Sequence, residues 1–458
     1  MAARWTLRGE RVVLADGVRR AAVQVADGRI DRIAEHDDTV GEVVDVGDLP
    51  VLPGLVDPHV HVNDPGRSDW EGFATATRAA AAGGTTTIVD MPLNSLPPTT
   101  SADALATKRA AADGRCAVDV GFWGGIVPGN ADELDGLLAA GVWGCKAFLV
   151  DSGVPEFPPV DLDRLRRDMP RLARAGVPLL VHAESADAMH DAQDAYGRQP
   201  PEARRAYAHY LASRPAGSED TAVEGVIAAV ADTGAAAHVL HLSSATALPA
   251  IAAAQRRGLA VTAETCPHYL ALAAEDVPTG ATEFKCAPPI RDRANNERLW
   301  QGLVDGTIAF VASDHSPCTP ELKHRGHGDF ATAWGGIASL QLRLPLLWEQ
   351  ARTHGLGPTE ALVAVARWLA TAPAAFVGLA HKGRIAPGVD ADLVVFDPDA
   401  SWVVDPDRLE HRHPVTPYAG RRLHGVVRAT WLRGELVHDG STIVRPDAGR
   451  ALLRQVVA

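Results

Sequence analysis

Two histidines stand two residues apart in Asp57-Pro58-His59-Val60-His61, at the end of an apolar run that begins near Leu55. On a strand, residues i and i+2 share a face, so the two imidazoles converge on one point. Taken alone, the pair reads equally as two hydrogen-bonded core histidines. Two further histidines close comparable apolar runs: His182 in Leu179-Leu180-Val181-His182 and His241 in His238-Val239-Leu240-His241. Four neutral imidazoles gathered from three strands suit a borderline-soft divalent cation. His238 competes with His241, but their i, i+3 spacing sets them on opposite faces. His241 lies nearer the strand end, just before Ser243-Ser244, and is the expected ligand.

A lysine interrupts another apolar run, Val142-Trp143-Gly144-Cys145-Lys146-Ala147-Phe148-Leu149-Val150. A buried, unpaired ammonium is costly, so Lys146 must lose its proton or gain a partner. One option is an ion pair with a neighbouring carboxylate. The other is capture of carbon dioxide by the neutral amine, giving N6-carboxylysine, whose two oxygens can bridge metal ions about 3.5–4 Å apart. Charge favours the carbamate, because two divalent cations among neutral imidazoles would leave the pocket too cationic for its burial. Asp314, in Ala312-Ser313-Asp314-His315, can ligate one ion and carry a proton from the attacking water to a leaving nitrogen. Its bland alternative is to cap the following helix.

These residues need elements that aim them at one place. Eight short apolar runs alternate with stretches of helical composition: 54–62, 85–91, 117–123, 142–150, 177–183, 236–242, 259–265 and 307–313. Near-continuous apolar strands alternating with helices imply a parallel sheet covered on both faces. Eight such units fit an α/β fold of the (β/α)8 TIM-barrel type, with its chemistry at the C-terminal ends of the strands; a doubly wound open sheet shares the pattern. Ser68-Asp69-Trp70-Glu71 has capping-box spacing before one helix, and Gly83-Gly84 supplies its stop. Short strands with turn signals occupy both ends of the chain: 11–14, 21–25 and 29–33, then 392–396, 425–432 and 435–438. They predict a small β-sandwich assembled from both termini. The expected division is residues 1–52 and 386–458 for the sandwich, and 53–385 for the barrel.

The chain has 458 residues, 46% hydrophobic and 22% charged, the balance of a globular protein. Its net charge of −13 argues against a nucleic-acid or anionic-membrane partner, since both select basic surface. Five cysteines, spread singly, predict reduced thiols and a cytoplasmic setting. Met1–Leu7 lacks the apolar core of a signal peptide, and no run reaches the roughly 18 consecutive apolar residues of a membrane span.

From Leu52-Pro53-Gly54-Leu55-Val56-Asp57-Pro58-His59-Val60-His61 through Gly383-Arg384-Ile385-Ala386-Pro387-Gly388-Val389-Asp390-Ala391-Asp392-Leu393, the chain resembles the cyclic amidohydrolases of the amidohydrolase superfamily. The resemblance implies a binuclear metal centre, and its ligands fall on His59, His61, Lys146, His182, His241 and Asp314. One ion would be held by His59, His61 and Asp314, the other by His182 and His241, with Lys146 between them. Zinc is the expected metal, though manganese, cobalt and nickel accept the same donors. The resemblance also implies hydrolysis of a cyclic amide and a homotetramer.

Within that family, dihydroorotase-like sequences place an arginine two residues after the second histidine, against a substrate carboxylate. Here Asn63 stands there, which implies a neutral substrate. Asn63-Asp64-Pro65-Gly66-Arg67, Asp90-Met91-Pro92-Leu93-Asn94-Ser95 and Ser152-Gly153-Val154-Pro155-Glu156-Phe157-Pro158 resemble the allantoinase branch, implying ring opening of allantoin to allantoate. Hydantoinase-like sequences carry a tyrosine near Ser152, so hydantoinase, dihydropyrimidinase and dihydroorotase activities are the alternatives. Expected substrate contacts are Asn63, Ser152 and backbone near Ala287 and Ser316. Arg67 is read as an ion-pair partner more readily than as a ureido ligand.

The loops 151–160 and 316–330 are expected to act as lids, with His324 and His327 as solvated loop residues. A scaffold relative that has lost catalysis would lack several ligands, whereas this chain has all six. A single-metal deaminase would have no use for Lys146.

Overall fold

The computed structural model describes residues 4–455. The reading of Met1–Leu7 therefore falls partly outside the described residues.

All eight expected parallel strands are present, most of them shorter than the apolar runs that announce them. Five of them, with the additional short strand Gly124–Gly125, pair in the order Phe310–Val311, Val261–Thr265, Ala237–Val239, Leu179–His182, Cys145–Phe148 and Gly124–Gly125. A second parallel sheet joins Ala451–Leu452, Asp119–Phe122, Thr85–Asp90 and Leu55–Val60. The sheets approach each other at two places. Trp123, between Asp119–Phe122 and Gly124–Gly125, donates to Asp90 O at 3.0 Å, and Val60 forms an isolated parallel bridge with His315. Strand residues are buried almost throughout, as expected for a sheet covered on both faces.

The shortened strands have a local cause. Beyond Ala237–Val239 the chain turns at His241 (φ 35°), and beyond Phe310–Val311 it turns at Asp314 (φ 45°). Both are left-handed conformations that end an extended ladder and re-aim the side chain.

Helix Phe73–Ala82 stops at Gly83 and Gly84, the latter at φ 80°. The expected capping box at its start is not formed: Gly72 is the N-cap and no side chain caps it. Glu71 is drawn inward instead, where its carboxylate meets His315 Nε2 at 3.3 Å and accepts from Arg412 N at 3.2 Å. A buried tertiary partner outcompetes a local cap.

Both chain ends build one eight-stranded sheet in the order Glu435–His438, Arg422–Leu432, Leu393–Val403, Val51–Pro53, Arg4–Leu14, Gly17–Ala26 and Arg29–Ala34, with Glu42–Asp45 pairing alongside Arg4–Leu14. The chain then leaves this sheet, and Ala451–Leu452 pairs with Asp119–Phe122 of the central sheet. The run Pro358–Val377 is apolar and helical enough to pass for a membrane span, with a mean hydropathy of 1.4. Over half of it is buried in the protein, and Ala374 and Val377 pack with Val56, Trp123 and Leu180.

Beneath the first strand lies Arg343, fully buried, donating to Val56 O at 2.9 Å and Val311 O at 3.3 Å, with Nε 3.6 Å from Asp57 Oδ2. Asp57 in turn accepts from the backbone N–H groups of His59 and Ser313, both at 3.2 Å. Arg343→Met would leave Asp57 as an uncompensated buried charge. The expected loss is about 3–5 kcal/mol of stability, read from the midpoint of urea unfolding.

Candidate metal centre

Five of the six expected ligands, His61, Lys146, His182, His241 and Asp314, line one cavity of about 630 Å³. His59 is buried directly behind them, its Nε2 3.1 Å from Asp314 Oδ1 and 3.4 Å from Lys146 Nζ. His61 Nε2 lies 3.5 Å from the same Asp314 oxygen, and His182 Nδ1 lies 3.0 Å from His241 Nε2. Bonds of 2.0–2.1 Å at a tetrahedral angle separate ligand atoms by about 3.3 Å, so these spacings suit donors around a common ion. His59, His61 and Asp314 in particular form a cluster able to hold a metal ion.

The donors carry the right protonation for that task. Burial pushes His59, His61 and His241 well below the usual imidazole range and lowers His182, leaving neutral rings with lone pairs. Carboxylates behind them orient two of the rings. Glu184 meets His182 Nε2 at 2.7 Å, so the lone pair of His182 falls on Nδ1, the atom facing His241. Glu184 is itself paired with Arg214, Nε to Oε1 at 3.0 Å, and its carboxyl is held at about 2: burial raises it, but Arg214 and His182 more than offset that. Glu264 spans two histidines, meeting His59 at Nδ1 and His238 Nε2 at 3.2 Å. The Nε2 of His59 is thereby left facing Asp314.

Lys146 is buried, its Nζ 4.9 Å from the Phe148 ring, which stacks on His182. Among the described residues no carboxylate lies within ion-pairing distance of it. Burial lowers its pKa and raises that of Asp314. A depressed lysine offers the uncharged amine that carbon dioxide requires. Positive φ at both His241 and Asp314 costs on the order of 1–3 kcal/mol each, and strain of this kind concentrates where function holds it.

His238 faces away from the cavity, as its spacing from His241 predicts. It packs between Phe310 and Phe376, and its Nδ1 lies 2.7 Å from Thr262 Oγ1. Ser152, Ala287 and Ser316 line the cavity. Ser316 is held by a close backbone approach: a Cβ on Gly336 (φ 123°) would fall 2.0 Å from Ser316 O. Asn63 does not line the cavity. It lies behind Asn94, accepting from Asn94 Nδ2 at 3.1 Å and donating to Pro317 O at 3.2 Å. Arg67 pairs with Glu156 at 2.8 Å, and His324 and His327 are exposed.

The orienting acids Glu184 and Glu264 and the partner Arg214 escaped the sequence reading. Glu264 had a visible signal, an acid inside the apolar run Val261-Thr262-Ala263-Glu264-Thr265. Arg214 had none, because it reaches Glu184 from a separate segment, the bend between helices Tyr207–Ala212 and Ala216–Thr233.

The amidohydrolase family pattern matches residues 51–437. The chain is 52% identical to an allantoinase of Streptomyces avermitilis over 98% of both chains. It is 43% identical to an allantoinase of Arabidopsis thaliana, over 94% of this chain and 87% of that one. Among solved structures, it resembles an L-hydantoinase (dihydropyrimidinase) from Arthrobacter aurescens with a TM-score of 0.92 and 30% identity, over 98% of this chain and 100% of that one. With the family pattern spanning most of its length and relatives this similar end to end, the chain belongs to the amidohydrolase family.

Proposed function

We infer that this protein is an allantoinase: it hydrolyses a ring C–N bond of allantoin and releases allantoate. The observation that carries the reading is 52% identity to the Streptomyces avermitilis allantoinase across 98% of both chains. The sequence agrees with a small neutral cyclic amide, since the position two residues after His61, where an acid-binding arginine would stand, holds Asn63.

The proposed centre assigns His59, His61 and Asp314 to one divalent ion, His182 and His241 to a second, and Lys146, as N6-carboxylysine, to both. Zinc is the proposed metal, with manganese, cobalt or nickel able to replace it. Bound there, the ions would acidify a water near neutral pH and polarise the ring carbonyl. Asp314 takes the proton released by the attacking water and delivers it to the departing ring nitrogen. The Glu184–His182 and Glu264–His59 contacts hold each imidazole in a single tautomer, and Arg214 keeps Glu184 ionised. Ser152 and the backbone at Ala287 and Ser316 form the proposed wall for the substrate, with Asn63 supporting it from behind Asn94.

The wider architecture is read the same way. The two parallel sheets close into one (β/α)8 barrel over 53–385, and the terminal segments 1–52 and 386–458 form the β-sandwich. Loops 151–160 and 316–330 act as lids. A homotetramer follows the family resemblance. Five buried, free cysteines suit a cytoplasmic setting.

The test is a rate panel on metal-loaded protein with allantoin, hydantoin, dihydrouracil and dihydroorotate. Allantoin is expected to give the highest kcat/KM, and a clear preference for any other ring would overturn the substrate assignment. A second expectation concerns Arg214→Ala. Removing the partner of Glu184 should weaken metal retention about 10–100-fold in chelator competition, the usual cost of losing an outer support.

A further inference from the structure

One cation of the cavity has no task in the mechanism above. Lys285 lines the same cavity as Lys146 and Asp314. Its Nζ sits 5.5 Å from the centre of the Tyr210 ring and donates one hydrogen bond, to Ala333 O at 2.5 Å. Both its platform and its backbone are fixed. Tyr210 donates to Cys286 O at 2.7 Å and stacks on Phe330, while Lys285 O accepts from Gly336 N at 2.8 Å and Lys323 Nζ at 3.0 Å.

An ammonium carries three donors, and only one is used here. Among the described residues Lys285 has no ion-pair partner. Burial, with the charges of Lys323 and Arg214 added, pulls it down to about 7 against the weaker opposing effect of Asp329. Keeping a cation in such surroundings is costly unless something entering the cavity completes its hydrogen bonds.

The side chains expected to contact the substrate, and Arg67, are already engaged. Ser152 Oγ donates to Phe157 O at 2.6 Å. Both ends of the Asn63 amide are used, by Asn94 and Pro317. Arg67 is divided between Glu156 and Asn94 O, each at 2.8 Å. Allantoin differs from hydantoin by a ureido arm, whose carbonyl oxygen is a neutral acceptor, and of these four side chains only Lys285 holds unused donors on the cavity wall.

We propose that Lys285 is a specificity-determining residue that donates to the ureido carbonyl of the substrate and so selects a ureido-bearing hydantoin over the unsubstituted ring. The proposal rests on the reading of this protein as acting on allantoin. It does not involve the ring amide, which both compounds share.

Lys285→Met keeps the apolar stem against Tyr210 and removes the donors. In metal-replete protein with unchanged metal content, kcat/KM for allantoin should fall about 10–100-fold. The Ki of hydantoin, measured as a competitor of allantoin, should stay within about threefold of the wild type. Lys285→Gln, a neutral donor, should fall between the two and serves the same comparison if the methionine variant does not fold. Equal losses for both compounds would assign Lys285 to the fold or to the product carboxylate and overturn the proposal. Unchanged allantoin kinetics would overturn it as well. Wild-type protein inert on allantoin but active on another cyclic amide would instead remove the underlying functional reading.

Discussion

Lys146→Ala is expected to lower turnover of allantoin by at least about 10⁴-fold, on the order of 5–6 kcal/mol of transition-state stabilisation, and to reduce bound metal below two ions per chain. The reason lies in the charge balance of the pocket. His59, His61, His182 and His241 are all neutral by burial, and among the described residues Asp314 is the carboxylate that faces the Nε2 atoms of His59 and His61. Without an anion at Lys146, two divalent cations would repel each other across a poorly neutralised cavity. Lys146→Arg should do no better. A guanidinium restores positive charge and donors, whereas the site needs oxygen acceptors. Elemental analysis of each variant, beside a single-turnover rate, checks both halves of the expectation. Wild-type-like turnover in either variant would remove the bridging role. So would an unmodified ammonium in the density of a fully active, metal-replete crystal.

Asp314→Asn is expected to retain part of its metal and lose most of its turnover, by about 10³–10⁴-fold. The carboxamide can still offer an oxygen to an ion beside His59 and His61, but it cannot take a proton from water and return it to nitrogen. Burial raises the Asp314 carboxyl above the ordinary carboxylate range, and cations beside it would pull it back down. Its backbone, in the left-handed region at φ 45°, tolerates asparagine more readily than most residues, so the substitution isolates proton transfer from folding. A rate within a few-fold of wild type would remove Asp314 as the proton carrier. Loss of all metal would make it chiefly a ligand.

Much of this site was written into residue order. His59 and His61 alternate correctly to share a face, His238 and His241 do not, and a lysine within an apolar strand is conspicuous because burying its charge is so unfavourable. Eight apolar runs announced eight strands, since a sheet covered on both faces needs near-continuous apolar sequence. Periodicity also located both β-rich ends, and Gly83-Gly84 stopped the helix where its conformational freedom allowed. These features are local: each follows from the period of a strand, the reach of a turn or the desolvation of a single group.

What residue order could not supply was partnership at long range. Ser68 and Glu71 have the spacing of a capping box, yet a buried His315 some 244 positions away takes the carboxylate instead. Asn63 follows His59 and His61 closely, but the tertiary structure sets it behind Asn94. Glu264 and Glu184 became orienting groups only when folding brought them against His59, His182 and Arg214. Hydrogen bonds inside a protein are chosen by which donors remain without water once the chain is packed. That competition is decided by the whole fold, so it left its mark on residue types but not on their pairing.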